Sequence, residues 1–263
     1  MSNLRHIADP SIKVRSFGVT FQSGQALLPH PVVPRYLGAW HQLVYATRGV
    51  MTVRTERGAW VVPPHRGAWI PAGSRYQVEL SGVVAVRNLY IKAKKKEGLF
   101  QRASEGCFVV NISPLLRELI VRINLLGALD EHVPEQRRLL GVLFDELKTL
   151  STVPLQLPSP RDPRAAMLGQ LTQADPGATM PLKKMLRQCG ASRRTMERIF
   201  SAETGMSLGQ WLRRQRLLDA LRRLGAGACV NTVALELGYN SSSAFIAMFR
   251  RELGQTPKRY CET

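Results

Sequence analysis

Two kinds of hydrophobic spacing divide this chain. Up to about residue 91 the apolar residues come in short runs, over residues 42–47, 50–55, 60–62, 68–70, 76–80 and 83–91. Glycine or proline separates them, at Arg48-Gly49, Arg57-Gly58, Pro63-Pro64, Pro71-Ala72-Gly73 and Ser81-Gly82. Many short strands at this spacing predict an antiparallel sandwich or barrel. From residue 113 the period becomes helical. Ser113-Pro114 supplies a cap and a first-turn proline, and Leu115, Leu116, Leu119, Ile120 and Ile123 follow at helical spacing. A second helix is expected over residues 135–150, with Leu139, Leu140, Leu143, Phe144 and Leu147 on one face. Such amphipathic helices either cap the sheet or pair with a second copy of the chain.

Residues 151–163 hold four prolines, at 154, 158, 160 and 163. That density stops a helix and favours an extended, semi-rigid spacer. The expected division is therefore a sheet domain with a helical tail over 1–150, a linker over 151–163, and a helical domain over 164–263.

Within the helical domain one plan occurs twice: an apolar helix, a glycine turn, a serine-rich start and a second helix with a late phenylalanine. The first copy runs from Leu182 through Gly190 and Ser192 to Phe200, the second from Val233 through Gly238 and Ser241 to Arg251. This is the helix-turn-helix plan, and the turn glycine supplies a positive φ without a Cβ clash. At about 100° per residue, Thr195, Met196 and Ile199 face inward in the first copy. Arg193, Arg194, Glu197, Arg198 and Ser201 are the DNA-facing candidates, since arginine can grip guanine bidentately and glutamate can accept from cytosine. In the second copy Phe245, Met248 and Phe249 face inward, leaving Ser242, Ser243, Ala247, Arg250 and Arg251 for DNA. Those short side chains suit phosphate contacts and fit more than base discrimination. Between the copies, residues 207–224 read as one helix capped by Ser207. Such a helix can fix two readers at the spacing of about 34 Å that one turn of B-DNA requires.

Charge sharpens the choice of partner. Lys and Arg total 37 against 19 Asp and Glu, a net charge of +18, which attracts polyanions. Residues 164–263 hold 16 basic and 7 acidic residues. The longer segment before them carries the same net +9, so charge density is higher in the helical domain. The lysine-rich run from Lys92 to Lys96 reads as a solvated strand end. No run of about 18 apolar residues suggests a membrane span, the first ten residues lack a signal-peptide core, and a cytoplasmic protein is expected. Cys107, Cys189, Cys229 and Cys261 are scattered, which predicts reduced thiols rather than a disulfide framework or zinc site.

The second copy resembles the AraC/XylS family signature through Ala234, Gly238, Tyr239, Ser241, Phe245, Phe249, Arg250, Arg251, Gly254, Pro257 and Tyr260 at the family's spacing. Phe200, Thr204, Gly205, Ser207, Trp211 and Arg216 fit its connecting run. Leu186 departs from the small residue usual there, and Cys261 from a basic one. The first half is similar to the family's cupin-like sensor domain through His41-Gln42-Leu43-Val44-Tyr45-Ala46, Gly49-Val50-Met51 and Trp69-Ile70-Pro71-Ala72-Gly73. The resemblance implies an α+β protein: an N-terminal antiparallel, cupin-like β-barrel with following helices, then an all-α domain with two helix-turn-helix units. It implies a sequence-specific transcription regulator, activator or repressor, that binds double-stranded DNA. A small-molecule effector, RNA polymerase and a second copy are the further expected partners, and neither a cofactor nor a membrane is expected.

Metal-binding cupins place histidines where this chain has Tyr36, Gly38 and Tyr76, so no metal and no oxygenase chemistry is expected. Tyr36, Trp40, His41, Tyr45, Trp60, Trp69 and Tyr76 are the candidate effector residues, as aromatic walls with polar tips. The competing reading of each is plain core filling. Two other functions compete with regulation: a nonspecific basic DNA-binding protein, and a cupin enzyme with an appended basic domain.

Overall fold

The computed structural model describes residues 12–21, 28–29, 40–92 and 106–262. Its first half is one antiparallel sheet of β1 (Ile12–Phe21), β2 (Leu28–Pro29), β3 (Trp40–Thr55), β4 (Gly58–Val62), β5 (Arg66–Ile70), β6 (Gln77–Lys92), β7 (Phe108–Asn111), β8 (Ala128–Asp130), β9 (Thr152–Val153) and β10 (Gln156–Pro158). The main path runs β8-β1-β6-β3-β5-β7-β9. β2 adds to β6, β4 to β3 and β10 to β4.

Among the described residues this sheet does not close on itself, which corrects the expected barrel to an open, branched sheet. The cause lies in β3. Its residues 42–45 pair with β5, whereas residues 51–55 pair with β4, so the strand feeds two diverging branches. Two glycines also act differently from expectation. Gly49 and Gly82, at φ of 71° and 81°, do not end strands. A left-handed residue inside a strand makes a bulge, which bends and twists it. β3 and β6 therefore each join two expected strands, and their pairing shifts register between Ala46 and Val50.

Alternation sorts the sheet into two apolar faces. Val14, Leu43, Tyr45, Trp69, Leu89, Ile91 and Val110 lie beneath α1 (Pro114–Leu126) and α2 (Pro134–Lys148). These helices cover the sheet with Leu116, Leu119, Ile120, Ile123, Leu140, Leu143 and Leu147. Each such side chain stabilises by roughly 1.5–3 kcal/mol when fully buried. The Ser113 hydroxyl accepts from the Leu116 amide at 2.9 Å and also hydrogen-bonds Glu146 of α2. Leu115, expected on the apolar stripe, is instead 51% exposed.

The proline segment is extended, as its composition predicts, but it is not a free spacer. β9 pairs with β7 and β10 with β4. Beyond it come α3 (Pro163–Ala174), α4 (Leu182–Gln188), α5 (Arg193–Thr204), α6 (Leu208–Gly225), α7 (Val230–Glu236), α8 (Ser242–Leu253) and α9 (Pro257–Glu262). At 18 residues, α6 is about 27 Å long. Its start carries a complete capping box between Ser207 and Gln210.

Candidate nucleic-acid interface

Both helix pairs are built by the same local chemistry. α4 and α5 meet at Gly190, φ 63°, and α7 and α8 at Gly238, φ 76°. Gly238 is needed twice over, because a Cβ there would come 2.4 Å from the Gly177 carbonyl oxygen. The second helix of each pair starts on a serine cap. Ser192 Oγ accepts from the Thr195 amide at 3.1 Å, and Ser241 Oγ from the Ala244 amide at 3.2 Å. Met196, Ile199 and Phe200 hold α5 inward, and Phe245, Met248 and Phe249 hold α8.

The outward faces differ. On α5, Arg193, Arg194, Arg198 and Ser201 are exposed. Among the described residues Arg194 and Arg198 make no ion pair or side-chain hydrogen bond, so their guanidinium groups are free for an external acceptor. Glu197 is different. Half-buried, it accepts from the Leu208 amide at 3.0 Å and lies 3.9 Å from Arg193. Its carboxylate braces the start of α6. On α8, Ser243, Ala244, Ala247, Arg250 and Arg251 are exposed and Ser242 is half-buried. Arg251 pairs with Glu252 at 3.5 Å. The structure thus brings the candidates together in two groups, one with arginines along its length, one short until Arg250 and Arg251 in its last turn.

Sequence reasoning passed over a third group. Lys183, Lys184 and Arg187 are exposed on α4, whose Met185 and Leu186 are buried. Lys183, Arg187 and Arg193 line an open groove where α4 meets α5. The signal was the apolar alternation of a seven-residue helix, readable once its inward residues are known.

The seven effector candidates do not share one pocket. Tyr36, like Gly38, lies outside the described residues. Tyr45 and Trp69 are under α1 and α2, and His41 stacks on Trp69 with ring centroids 5.3 Å apart. Trp60 and Tyr76 belong to the other buried cluster, and Trp40 packs with Ile12 and Tyr90. Alternation along β3 separates neighbours such as Trp40 and His41 onto opposite faces. What does converge is polar: the Tyr76 hydroxyl donates to Gln42 Oε1, and Gln42 Nε2 donates to the Tyr90 hydroxyl at 3.2 Å. Burial raises both phenols, Tyr90 to about 12. A polar cavity of about 600 Å³ opens nearby, lined by Thr55, Glu56, Arg57, Ala72, Arg75 and Cys107 among others. Burial pushes the Cys107 thiol up to about 12, which disfavours its thiolate. The Ala72 amide on the cavity rim donates to His41 Nδ1 at 3.2 Å. Among the described residues no group of three or more His, Cys, Asp or Glu could hold a metal ion.

Residues 185–263 match the helix-turn-helix domain family. The transcriptional regulator NimR of Escherichia coli (strain K12) is 34% identical over 219 residues, spanning 83% of this chain and 78% of NimR. This chain belongs to the AraC/XylS family of transcription regulators. The transcriptional regulator RipA of Corynebacterium glutamicum is 32% identical over 104 residues, 40% of this chain and 31% of RipA. Among solved structures, the DNA-binding domain of AdpA in complex with a target DNA is 31% identical over 38% of this chain and 90% of that domain, with a TM-score of 0.35. ToxT of Vibrio cholerae with a bound unsaturated fatty acid covers 95% of this chain and 94% of its own at 10% identity, with a TM-score of 0.38.

The aromatic and turn residues of the AraC/XylS signature are scaffold, whereas its Arg250 and Arg251 are exposed. Tyr239, Phe245, Phe249 and Tyr260 form a chain of ring contacts at 5.4, 5.8 and 5.6 Å. Gly254 ends α8 at φ 76° and Pro257 starts α9.

Proposed function

We propose that this AraC/XylS regulator reads DNA bases chiefly through α5, using Arg194 and Arg198. α8 supplies fit and phosphate contacts through Ser243, Ala247, Arg250 and its capped amino end. The observation that carries this is the unequal pair of outward faces on one shared scaffold. Two guanidinium groups without internal partners project from α5, and from α8 short side chains project along with a single such group, Arg250 near its carboxyl end. Lys183, Lys184 and Arg187 add sequence-independent attraction to the backbone. The test is a titration, by fluorescence anisotropy at physiological salt, of the protein's own upstream DNA against a shuffled copy. A preference on the order of 10³ supports specific reading. Equal affinities with a steep salt dependence would favour the nonspecific alternative.

The sheet domain is the place for a small-molecule effector. The support is the polar cavity with Arg57 and Arg75 on its rim and the Tyr76–Gln42–Tyr90 chain of hydrogen bonds. Such a site suits a polar ligand with a negatively charged group. Pairing of two copies has its own support in Leu115, Val121, Leu125 and Leu126, all exposed along α1 with Glu118 and Arg122. An antiparallel second α1 would set leucine against leucine and Glu118 opposite Arg122. RNA polymerase is the partner through which a bound regulator of this family would act on transcription.

A further inference from the structure

α6 does more than join the two helix pairs, for it is seated on the sheet. Leu217, Leu218, Leu221 and Leu224 belong to the same buried cluster as Val50, Met51, Val53 and Val61, and α6 contacts β3, β4, β6 and β10. Near its start, Trp211 Nε1 donates to the Pro158 carbonyl at 2.8 Å, and Arg214 donates to that of Pro154. At its other end the fit leaves no spare atom. A Cβ on Gly225 would lie 1.9 Å from Val50 Cγ2 and 2.8 Å from Val50 Cβ. From the sheet side, Gly82 approaches so closely that its Cβ would lie 2.9 Å from the Gly225 carbonyl oxygen. The two bulge regions of β3 and β6 thus form a notch that holds the last turn of α6. Beyond it the Arg66 guanidinium lies 5.4 Å from the centre of the Tyr260 ring, joining β5 to α9.

Helix propensity alone argues against glycine at position 225. In a helix interior it costs about 1 kcal/mol relative to alanine, and less at the final residue of α6, where Gly225 stands. The close approach of Val50 gives glycine a packing reason there.

We propose that Gly225 and Val50 are positioning residues for DNA binding. Their contact makes the sheet domain, α6 and the second helix pair one body, so the sheet sets the orientation in which α8 meets DNA. This rests on the reading that both helix pairs engage DNA. A packed contact of this kind can modulate coupling between distant parts, and the coupling is reciprocal for binding.

The experiment uses the full chain and two readouts, thermal unfolding and affinity for a specific DNA site. Gly225→Ala should split or lower the unfolding transition and weaken specific binding by roughly tenfold. Adding Val50→Gly removes both the atom 1.9 Å away and the Cβ 2.8 Å away and should restore most of the loss in specific binding, which a purely local effect on α6 would not do. A Gly225→Ala protein with unchanged or raised melting temperature and unchanged affinity overturns the proposal. So does a folded double variant without recovery. If Gly225→Ala does not fold, Arg66→Ala takes its place, since it removes the contact to Tyr260 without adding an atom. Weakened specific binding by a folded Arg66→Ala protein supports the coupling, and unchanged binding overturns it. A wild-type protein without sequence preference would instead refute the reading of DNA, while the unfolding readout would still report on the notch.

Discussion

The two helix pairs share a turn, a serine cap and an aromatic anchor, yet they are held and equipped in opposite ways. The first has a core of its own, in which Leu168, Met185, Leu186, Met196, Phe200 and Trp211 pack together. The second has no separate core. Phe245, Phe249 and Tyr260 share one cluster with the strands of the sheet. The first carries free long-armed arginines, and the second mostly short side chains. Duplication of a scaffold therefore did not duplicate its surroundings or its surface. One copy is held mainly by a core of its own, touched by the sheet through β10, and the other shares its core with the strands.

The largest effects should come from the anchors. Phe200→Ala and Phe249→Ala each remove a fully buried ring and should cost about 3–5 kcal/mol. Hydrogen exchange should show the first loss confined to α3–α5 and the start of α6. The second should spread into β3 and β6, and a loss confined to α7–α9 would break the comparison. Next comes reading. Arg198→Ala should weaken specific binding by about 1–3 kcal/mol and relax one base position, whereas Ser243→Ala should change base preference little. Anisotropy on single-base variants of the site would show it, and uniform weakening on all DNA would remove Arg198 from base readout. The caps should be similar, since Ser192→Ala and Ser241→Ala each lose one bond from an amide worth about 1 kcal/mol, Ser192→Ala losing in addition an exposed contact with the Thr195 hydroxyl. Chemical denaturation of both variants measures this.

The smallest effect concerns acid. Burial lowers the pKa of His41 and of His65 from 6.5, and His65 is lowered further by Arg117 and Arg66. Between the folded value and 6.5 the unfolded chain binds more protons, so stability is complete above that range and falls as pH drops through it. The loss is bounded near 1.4 kcal/mol per pH unit for each histidine. Residues 164–263 contain no histidine. Mild acid should therefore loosen the sheet and with it the second helix pair, leaving the first as it was. Melting curves at pH 7.5 and 5.5, followed by exchange in α5 and α8, would reveal that order.

Helical elements were legible because periodicity, caps and glycine turns are local. Ser113, Ser207, Gly190 and Gly238 each act as their position implies. The inward stripe Phe245, Met248 and Phe249 was equally plain. The sheet was less so. Gly49 and Gly82 look like strand ends in a sequence, and only pairing decides between a turn and a bulge. The scattering of the aromatic candidates has the same origin, because alternation sends Tyr45 and Trp69 under the helices once β3 and β5 are paired. Glu197 was read by direction alone. Its backbone partner, the Leu208 amide, belongs to the next helix and is invisible to a helical projection.

The proline segment has a consequence for handling the protein. β9 and β10 cover the outer edges of β7 and β4, so the tether between the domains also seals the sheet. Unsealed edges recruit strands from other molecules. A sheet domain cut at residue 150 would expose both edges as well as the face that α6 covers, and should be recovered from cells largely as aggregate, while one extended to residue 163 keeps its edge seals, still exposes that face, and should aggregate less.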